Sequence, residues 1–340
     1  MDIYFYANTY FIKLVIATMV VFLGSEFMAI FPVFTNFKKH KETVERHIVP
    51  IWEITGTTIV VFVVELELIY SSLTPIASYL FIPLVGTFIL LLVLRNVWII
   101  YAEFIWKNKH NRVINSENFY KGYLIATFIM VILFLTAIVT LMYGKGIHLN
   151  LTDLSASYIS YIPMLSTYNY WLFLLGTLFV AYGLSAVFYR TMKIESFVPL
   201  TTVIIGLILS VSGLYGVAIA DKVPSGDIYL LIIPLILTLI IPVLYMNKRT
   251  TNIASYKPIF FILMVFAVFI IEAPVTYIAG GAFPISNFAS ANSMQAFNLY
   301  LSILGGIIFL GFMIMYAYVY ANNPEKFGME KPLKKETVTK

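Results

Sequence analysis

The sequence contains no cysteine. That excludes disulfides, thiolate ligation of an iron–sulfur cluster and any thiolate nucleophile. Charge is scarce: charged residues make up 11% of the 340 positions, against 60% hydrophobic ones. Such a composition excludes an ordinary soluble domain. Histidine is confined to His40, His47, His110 and His148, all between the hydrophobic stretches, so a haem with an intramembrane histidine ligand is not expected in this chain. The 13 methionines do not change that expectation, because methionine in an apolar helix is ordinarily packing material. H-E-x-x-H, phosphate-loop, G-x-S-x-G and dinucleotide-glycine patterns are all missing. No connecting segment is long enough for a soluble domain, the longest being 144–167. The chain is not expected to carry a metal or an enzyme site of its own.

What is present is hydrophobic and periodic. Nine apolar stretches run over 11–35, 50–72, 76–105, 120–143, 168–189, 196–220, 226–246, 258–280 and 297–321. Each reaches the ~20 residues needed to span ~30 Å of hydrocarbon, and only helices satisfy their own backbone there as an open-ended element. Eighteen of the 22 basic residues follow the odd-numbered stretches or lie in the tail. They are Lys38, Lys39, Lys41 and Arg46; Lys107, Lys109, Arg112 and Lys121; Arg190 and Lys193; Lys248, Arg249 and Lys257; and five lysines from Lys326 onward. Lys13, Lys145 and Lys222 fall toward the other side. Retained positive charge marks the cytoplasmic face. The pattern predicts an all-α integral membrane protein with nine transmembrane helices over 1–321, N-terminus out and C-terminus in, and a disordered cytoplasmic tail over 322–340. The first stretch has no basic leader or small-residue cleavage site and reads as a retained helix. A net charge of +5 suggests a nucleic-acid partner at first sight. Its location in loops assigns it to topology and anionic lipid headgroups instead, with no nucleic acid.

Ionisable groups inside spans cost roughly 2.5–3.5 kcal/mol each at mid-helix, so each needs a reason. Glu26, Glu65, Glu67, Arg95 and Glu272 lie within stretches, and Glu53 opens the second. At ~1.5 Å per residue, Glu26 and Arg95 lie about 14 and 16 Å from the cytoplasmic ends of their helices. A pair at that level is far cheaper than two lone charges, and a Glu26–Arg95 ion pair is expected. Glu53, with Thr57 at i+4 on its face, reads either as a first-turn helix cap beside Pro50 or as a proton acceptor at the mouth of a polar path. Glu65 and Glu67 are near the outer end, where interfacial water is within reach. Glu272 precedes Pro274, which is expected to kink the eighth helix. It has the backbone, Tyr277 or a partner subunit as possible companions.

The run Pro50-Ile51-Trp52-Glu53, with Leu91-Leu92-Val93-Leu94-Arg95-Asn96 and Ser25-Glu26, resembles subunit II of cytochrome bd-type quinol oxidases. The order of nine helices, Asn169-Tyr170, the segment from Phe283-Pro284 to Asn298 and the close at Tyr316-Ala317-Tyr318-Val319-Tyr320 are similar in kind. The chain departs from that family in having Glu for Asp at 26 and 53, Ile51 where His is common, and Thr55-Gly56-Thr57 in place of an amide-containing run. The resemblance implies two four-helix bundles plus one peripheral helix. It implies a haem-free subunit paired as a heterodimer with a haem-bearing subunit I, which would hold b- and d-type haems and oxidise quinol. Glu26, Glu53 and Thr57 would then serve cytoplasmic proton delivery. The location implied is the plasma membrane, with a bound quinone or lipid possible in this chain. The rival readings are the membrane anchor of another quinone-linked redox complex, a proton-coupled transporter using Glu26, Glu53, Glu67 and Glu272, and a lipid-modifying enzyme.

Overall fold

The computed structural model describes residues 3–105, 113–150, 156–189, 191, 197–220, 229–246, 253–273, 275–279 and 281–322. Its long helices are α1 (Ile3–Phe27), α2 (Ile30–Ile69), α4 (Ile82–Ile100), α5 (Val113–Tyr143), α7 (Tyr168–Phe188), α8 (Val198–Ala220), α9 (Tyr229–Met246), α10 (Ile253–Glu272) and α11 (Asn292–Asn322). Two short helices, α3 (Leu73–Leu80) and α6 (Ile162–Leu165), lie between them. Two-residue ribbons complete the described part: β1 (Ile147–His148) pairs antiparallel with β2 (Tyr158–Ile159), and β3 (Tyr277–Ile278) with β4 (Phe283–Pro284). Gly146 makes the first ribbon possible. Its φ of +84° suits glycine, and a Cβ there would meet the Ser160 carbonyl oxygen at 2.0 Å.

Among the described residues, five segments are long and apolar enough to cross a membrane: Ile3–Phe27, His47–Ile69, Ile82–Glu103, Glu117–Tyr143 and Tyr168–Phe188. Val198–Leu214, Ile232–Leu244 and Ile259–Glu272 are shorter apolar helices. The protein is an all-helical membrane protein with a helix in every hydrophobic stretch of the sequence.

Helix boundaries differ from the sequence expectation at four places, each for a local reason. The first stretch, expected as one helix over 11–35, is divided. α1 ends at Phe27, the chain turns at Met28–Ala29, and α2 starts at Ile30 with Pro32 in its first turn, where no N–H is required. The basic segment 36–49 is not a loop but part of α2. Asn36 leaves helical geometry at φ −159° and ψ 79°, and its Oδ1 accepts the Lys39 N–H at 3.1 Å, so it caps the helix that follows it. α2 therefore runs through position 50 rather than starting there. The third stretch splits at Phe81 into α3 and α4, with Pro83 in the first turn of α4, and ends in a π turn over Tyr101–Ile105. The eighth helix stops at Glu272 and gives way to the β3–β4 ribbon. The expected kink is thus replaced by a helix end, and Pro274 itself lies outside the described residues, as do 323–340 of the tail.

α1 is central: α2, α5, α10 and α11 all pack on it. α4 lies along α5, and α7 through α10 pack as a neighbouring group in which α7 and α8 are closest. Their contact is backbone to backbone. A Cβ on Gly206 of α8 would meet the Val180 nitrogen of α7 at 2.6 Å and the Gly176 oxygen at 2.7 Å. Small residues at such crossings let dispersion contacts do what the hydrophobic effect cannot do in lipid. Apolar packing falls into two large clusters. One cluster joins Leu23, Ile48, Ile99, Tyr120, Phe188 and Phe260; the other joins Phe5, Ile69, Leu73, Ile278 and Phe288.

Candidate functional site

The end of the bundle that carries the basic segments also holds a buried charge cluster. Glu26 is the penultimate residue of α1, so it sits one residue from a helix end rather than nine residues inside, as the uninterrupted 11–35 stretch suggested. A carboxylate at a helix C-terminus meets the negative end of the helix dipole and needs compensation. Arg95, one turn before the end of α4, provides it. Its Nη2 lies 2.9 Å from Glu26 Oε1 and 2.8 Å from Oε2, and both side chains are 0% exposed. The Thr55 hydroxyl of α2 donates to Oε1 and the Tyr123 hydroxyl of α5 to Oε2. Arg95 also lies over the Tyr123 ring at 5.4 Å. Four helices therefore meet at one carboxylate. Around it, Tyr189 donates to the Ser25 carbonyl at 2.9 Å and Ser185 to the Met28 carbonyl at 2.9 Å, tying α7 to the turn between α1 and α2. Nearby, Tyr120, one turn before Tyr123, donates to Glu103 in the π turn.

Glu53 and Thr57 are not part of this cluster. Both are exposed, and the Thr57 hydroxyl donates to its own helix at the Glu53 carbonyl, 2.9 Å away. At 100° per residue, Thr55 points about 200° from Glu53, so the residue facing Glu26 is one that turns Glu53 away from it. The helix-cap reading of Glu53 fails as well. It lies deep within α2, where backbone N–H groups are already used.

A second buried network closes the opposite end. Glu65 is buried there, not in interfacial water: it accepts from Asn298 Nδ2 at 2.8 Å and from the Ser302 hydroxyl at 3.0 Å. Asn8 donates to Gln295 Oε1 at 2.8 Å, and Gln295 donates to the Ile69 carbonyl at 2.7 Å, so α1, α2 and α11 share one polar knot. Lys13 donates to the Ala273 and Val275 carbonyls at 2.7 and 2.8 Å, capping the end of α10 beside Glu272. Glu67 is exposed on α2.

Sequence reasoning missed Thr55, Tyr123, Tyr120 and Glu103. The two tyrosines lie three apart at the opening of the 120–143 stretch, where an interfacial belt is expected, so nothing in their spacing set them apart. It also misplaced His47. That residue opens the second apolar helix and is buried, its ring 4.7 Å from Tyr189, 5.8 Å from Phe188 and 5.9 Å from Phe261. Three aromatic rings thus pack around the imidazole inside the bundle. Met164, also buried, has its sulfur 2.6 Å from the Thr140 hydroxyl. No cluster of three or more His, Asp or Glu side chains able to hold a metal ion exists among the described residues.

The fold and the buried charge cluster define a polytopic helical membrane protein organised around intramembrane ion pairing. Among solved structures it is similar to a chain of the bd oxidase from Geobacillus thermodenitrificans, with a TM-score of 0.68 over 95% of this chain and 100% of that one, at 13% sequence identity. No family model matches the sequence, and no curated protein matches it. The shared fold is thus a bd-oxidase fold, reached with a sequence far removed from the structural neighbour.

Proposed function

We propose that this chain is the haem-free subunit II of a cytochrome bd-type quinol:oxygen oxidoreductase of the plasma membrane, with its N-terminus out and all nine long helices crossing the bilayer. The observation that carries the reading is the fold likeness over the full length of the neighbouring chain. It is supported by the placement of Glu26 and Arg95 together at the end that bears the basic segments. In this reading a haem-bearing subunit I forms a heterodimer with the chain, and its b- and d-type haems carry electrons from quinol to oxygen. The residues of this chain bind no haem; they hold charge and move protons.

The two acids divide that work. Glu26 already accepts from Arg95, Thr55 and Tyr123, so it acts first as the anchor that lets Arg95 remain in hydrocarbon. Glu53, exposed on α2 with Thr57 one turn further, has free lone pairs and exchanges protons with the partner. A transporter would need a path through this chain, and an acid with every oxygen engaged is poorly placed to open one.

Purification of the tagged chain from native membranes tests the reading. It is expected to bring down a second polytopic subunit with haem absorbance. A chain recovered alone and colourless refutes the assignment. Glu53→Gln is expected to slow oxygen reduction by the complex without changing haem content, and unchanged turnover removes the proton role.

A further inference from the structure

The polar knot at the end opposite the basic segments contains a charge that its own hydrogen bonds do not neutralise. Glu65 is buried and accepts from Asn298 Nδ2 at 2.8 Å and from the Ser302 hydroxyl at 3.0 Å. Both donors are neutral, and no described lysine, arginine or histidine pairs with the carboxylate. Neutral dipoles satisfy its lone pairs, but a buried carboxylate keeps a charge that only a proton or a cation removes. It lies four residues before the end of α2, about 6 Å along the helix, within reach of ions from the water at that end.

Three further oxygens converge on it. The amide of Asn8 is fixed in orientation, because Nδ2 donates to both the carbonyl and Oε1 of Gln295, at 2.7 and 2.8 Å. Its Oδ1 therefore faces Asn298, whose Nδ2 lies 3.4 Å away. Asn298 is 0% exposed, and its Oδ1 has no hydrogen-bond partner. A buried amide whose nitrogen bridges two oxygens while its own acceptor goes unused is an incomplete arrangement. Turned over about Cβ–Cγ, a torsion with two broad wells, the amide brings Oδ1 to the nitrogen's place. Glu65 Oε2 and Asn8 Oδ1 then lie 2.8 and 3.4 Å from it. Three oxygens so placed repel one another unless a cation sits between them. The Ser302 hydroxyl, which is free to turn its lone pairs inward, supplies a fourth ligand.

We propose that this knot binds a sodium ion, held by Glu65 of α2, Asn8 of α1, and Asn298 and Ser302 of α11, which locks the three helices together. Size and charge select the ion. Oxygens held about 70–90° apart by a cation about 2.4 Å from each lie about 2.8–3.4 Å from one another, which is the spacing found here. Ca2+ matches in size, but its sites draw on several carboxylates, and this one has a single acid. K+ is larger and needs its oxygens further apart. Amide, hydroxyl and carboxylate oxygens suit a hard cation. The inference goes beyond the oxidase reading and holds whether or not that reading does.

The test uses the full chain, purified in detergent with whatever native subunits accompany it and exchanged into choline chloride at pH 8. Choline is then replaced by Na+ or K+ at constant ionic strength. Na+ is expected to raise the unfolding temperature saturably, with K+ at least about tenfold less potent. Titration calorimetry with NaCl should give one site per chain. Glu65→Gln is expected to abolish the Na+ response, and Ser302→Ala, which keeps the carboxylate, to raise the half-saturating Na+ concentration about tenfold. Equal responses to Na+ and K+, a Na+ response that survives Glu65→Gln, or one unmoved by Ser302→Ala each overturn the proposal. So does a fold indifferent to Na+ and stabilised only by acid, since a proton then neutralises Glu65. Should Glu65→Gln fail to fold, the Ser302→Ala shift decides the matter. Haem absorbance of the same preparation bears on the oxidase reading alone.

Discussion

Replacing Arg95 with Met leaves Glu26 in hydrocarbon without a cation. The ion pair spans 2.8 Å between groups that are both 0% exposed. At an effective dielectric near 20, that separation corresponds to about 6 kcal/mol of attraction, from which the loss of hydration of both charges must be subtracted. Removing one partner of a buried pair typically costs about 3–5 kcal/mol, because the survivor is left uncompensated. Arg95→Met and Glu26→Leu are therefore each expected to destabilise by about 3–5 kcal/mol, two to almost four powers of ten in the unfolding equilibrium. The double substitution removes both charges and strands only the Tyr123 hydroxyl, since Thr55 keeps its bond to the Ile51 carbonyl at 3.0 Å, at about 1 kcal/mol. The coupling energy from the cycle should then be about 4 kcal/mol or more. Reversible unfolding in mixed detergent–dodecyl sulfate micelles reads all four corners. A coupling below about 1 kcal/mol would refute the view that these charges depend on each other.

Two further expectations follow from packing and titration. Gly206→Val forces α7 and α8 apart, since even its Cβ meets backbone at 2.6 Å; a loss of about 1–3 kcal/mol is expected by the same unfolding assay, whereas Gly305→Ala, with open space around it, should be neutral. His40, outside the apolar spans, has its imidazole held below the ordinary value of 6.5, first by burial and then by Lys39. Because the unfolded chain binds that proton more readily, the contribution of His40 to stability is complete above pH 6.5 and falls away as pH drops toward the lowered value. Hydrogen exchange over 36–46 should therefore quicken with acid below that range, and His40→Gln should flatten the dependence.

The helices themselves were legible because lipid imposes one rule on every apolar stretch, and the alternation of basic segments is a one-dimensional signal. Helix ends were less legible. Pro32 and Asn36 are recognisable start signals, but inside a continuous apolar and basic run they compete with hydropathy, which has no sharp edges. Glu26 and Arg95 were expected at a common level from residue counting. They do meet, although the count itself used a helix end that the turn at Met28–Ala29 displaces.

The chain's order of residues by itself determined the class of protein, the number of apolar stretches, and which charges demand an explanation, since burial of charge in hydrocarbon is costly wherever it occurs. Tertiary structure alone decided which explanation each charge receives. Glu26 and Glu65 are satisfied by helices distant in sequence, α4 and α5 for one and α11 for the other, whereas Glu53 and Glu67, on the same helix as Glu65, face outward. Residues on one helix differ by 100° of rotation per step. Periodicity orders their faces, and only the packing of the neighbouring helices says which face is filled.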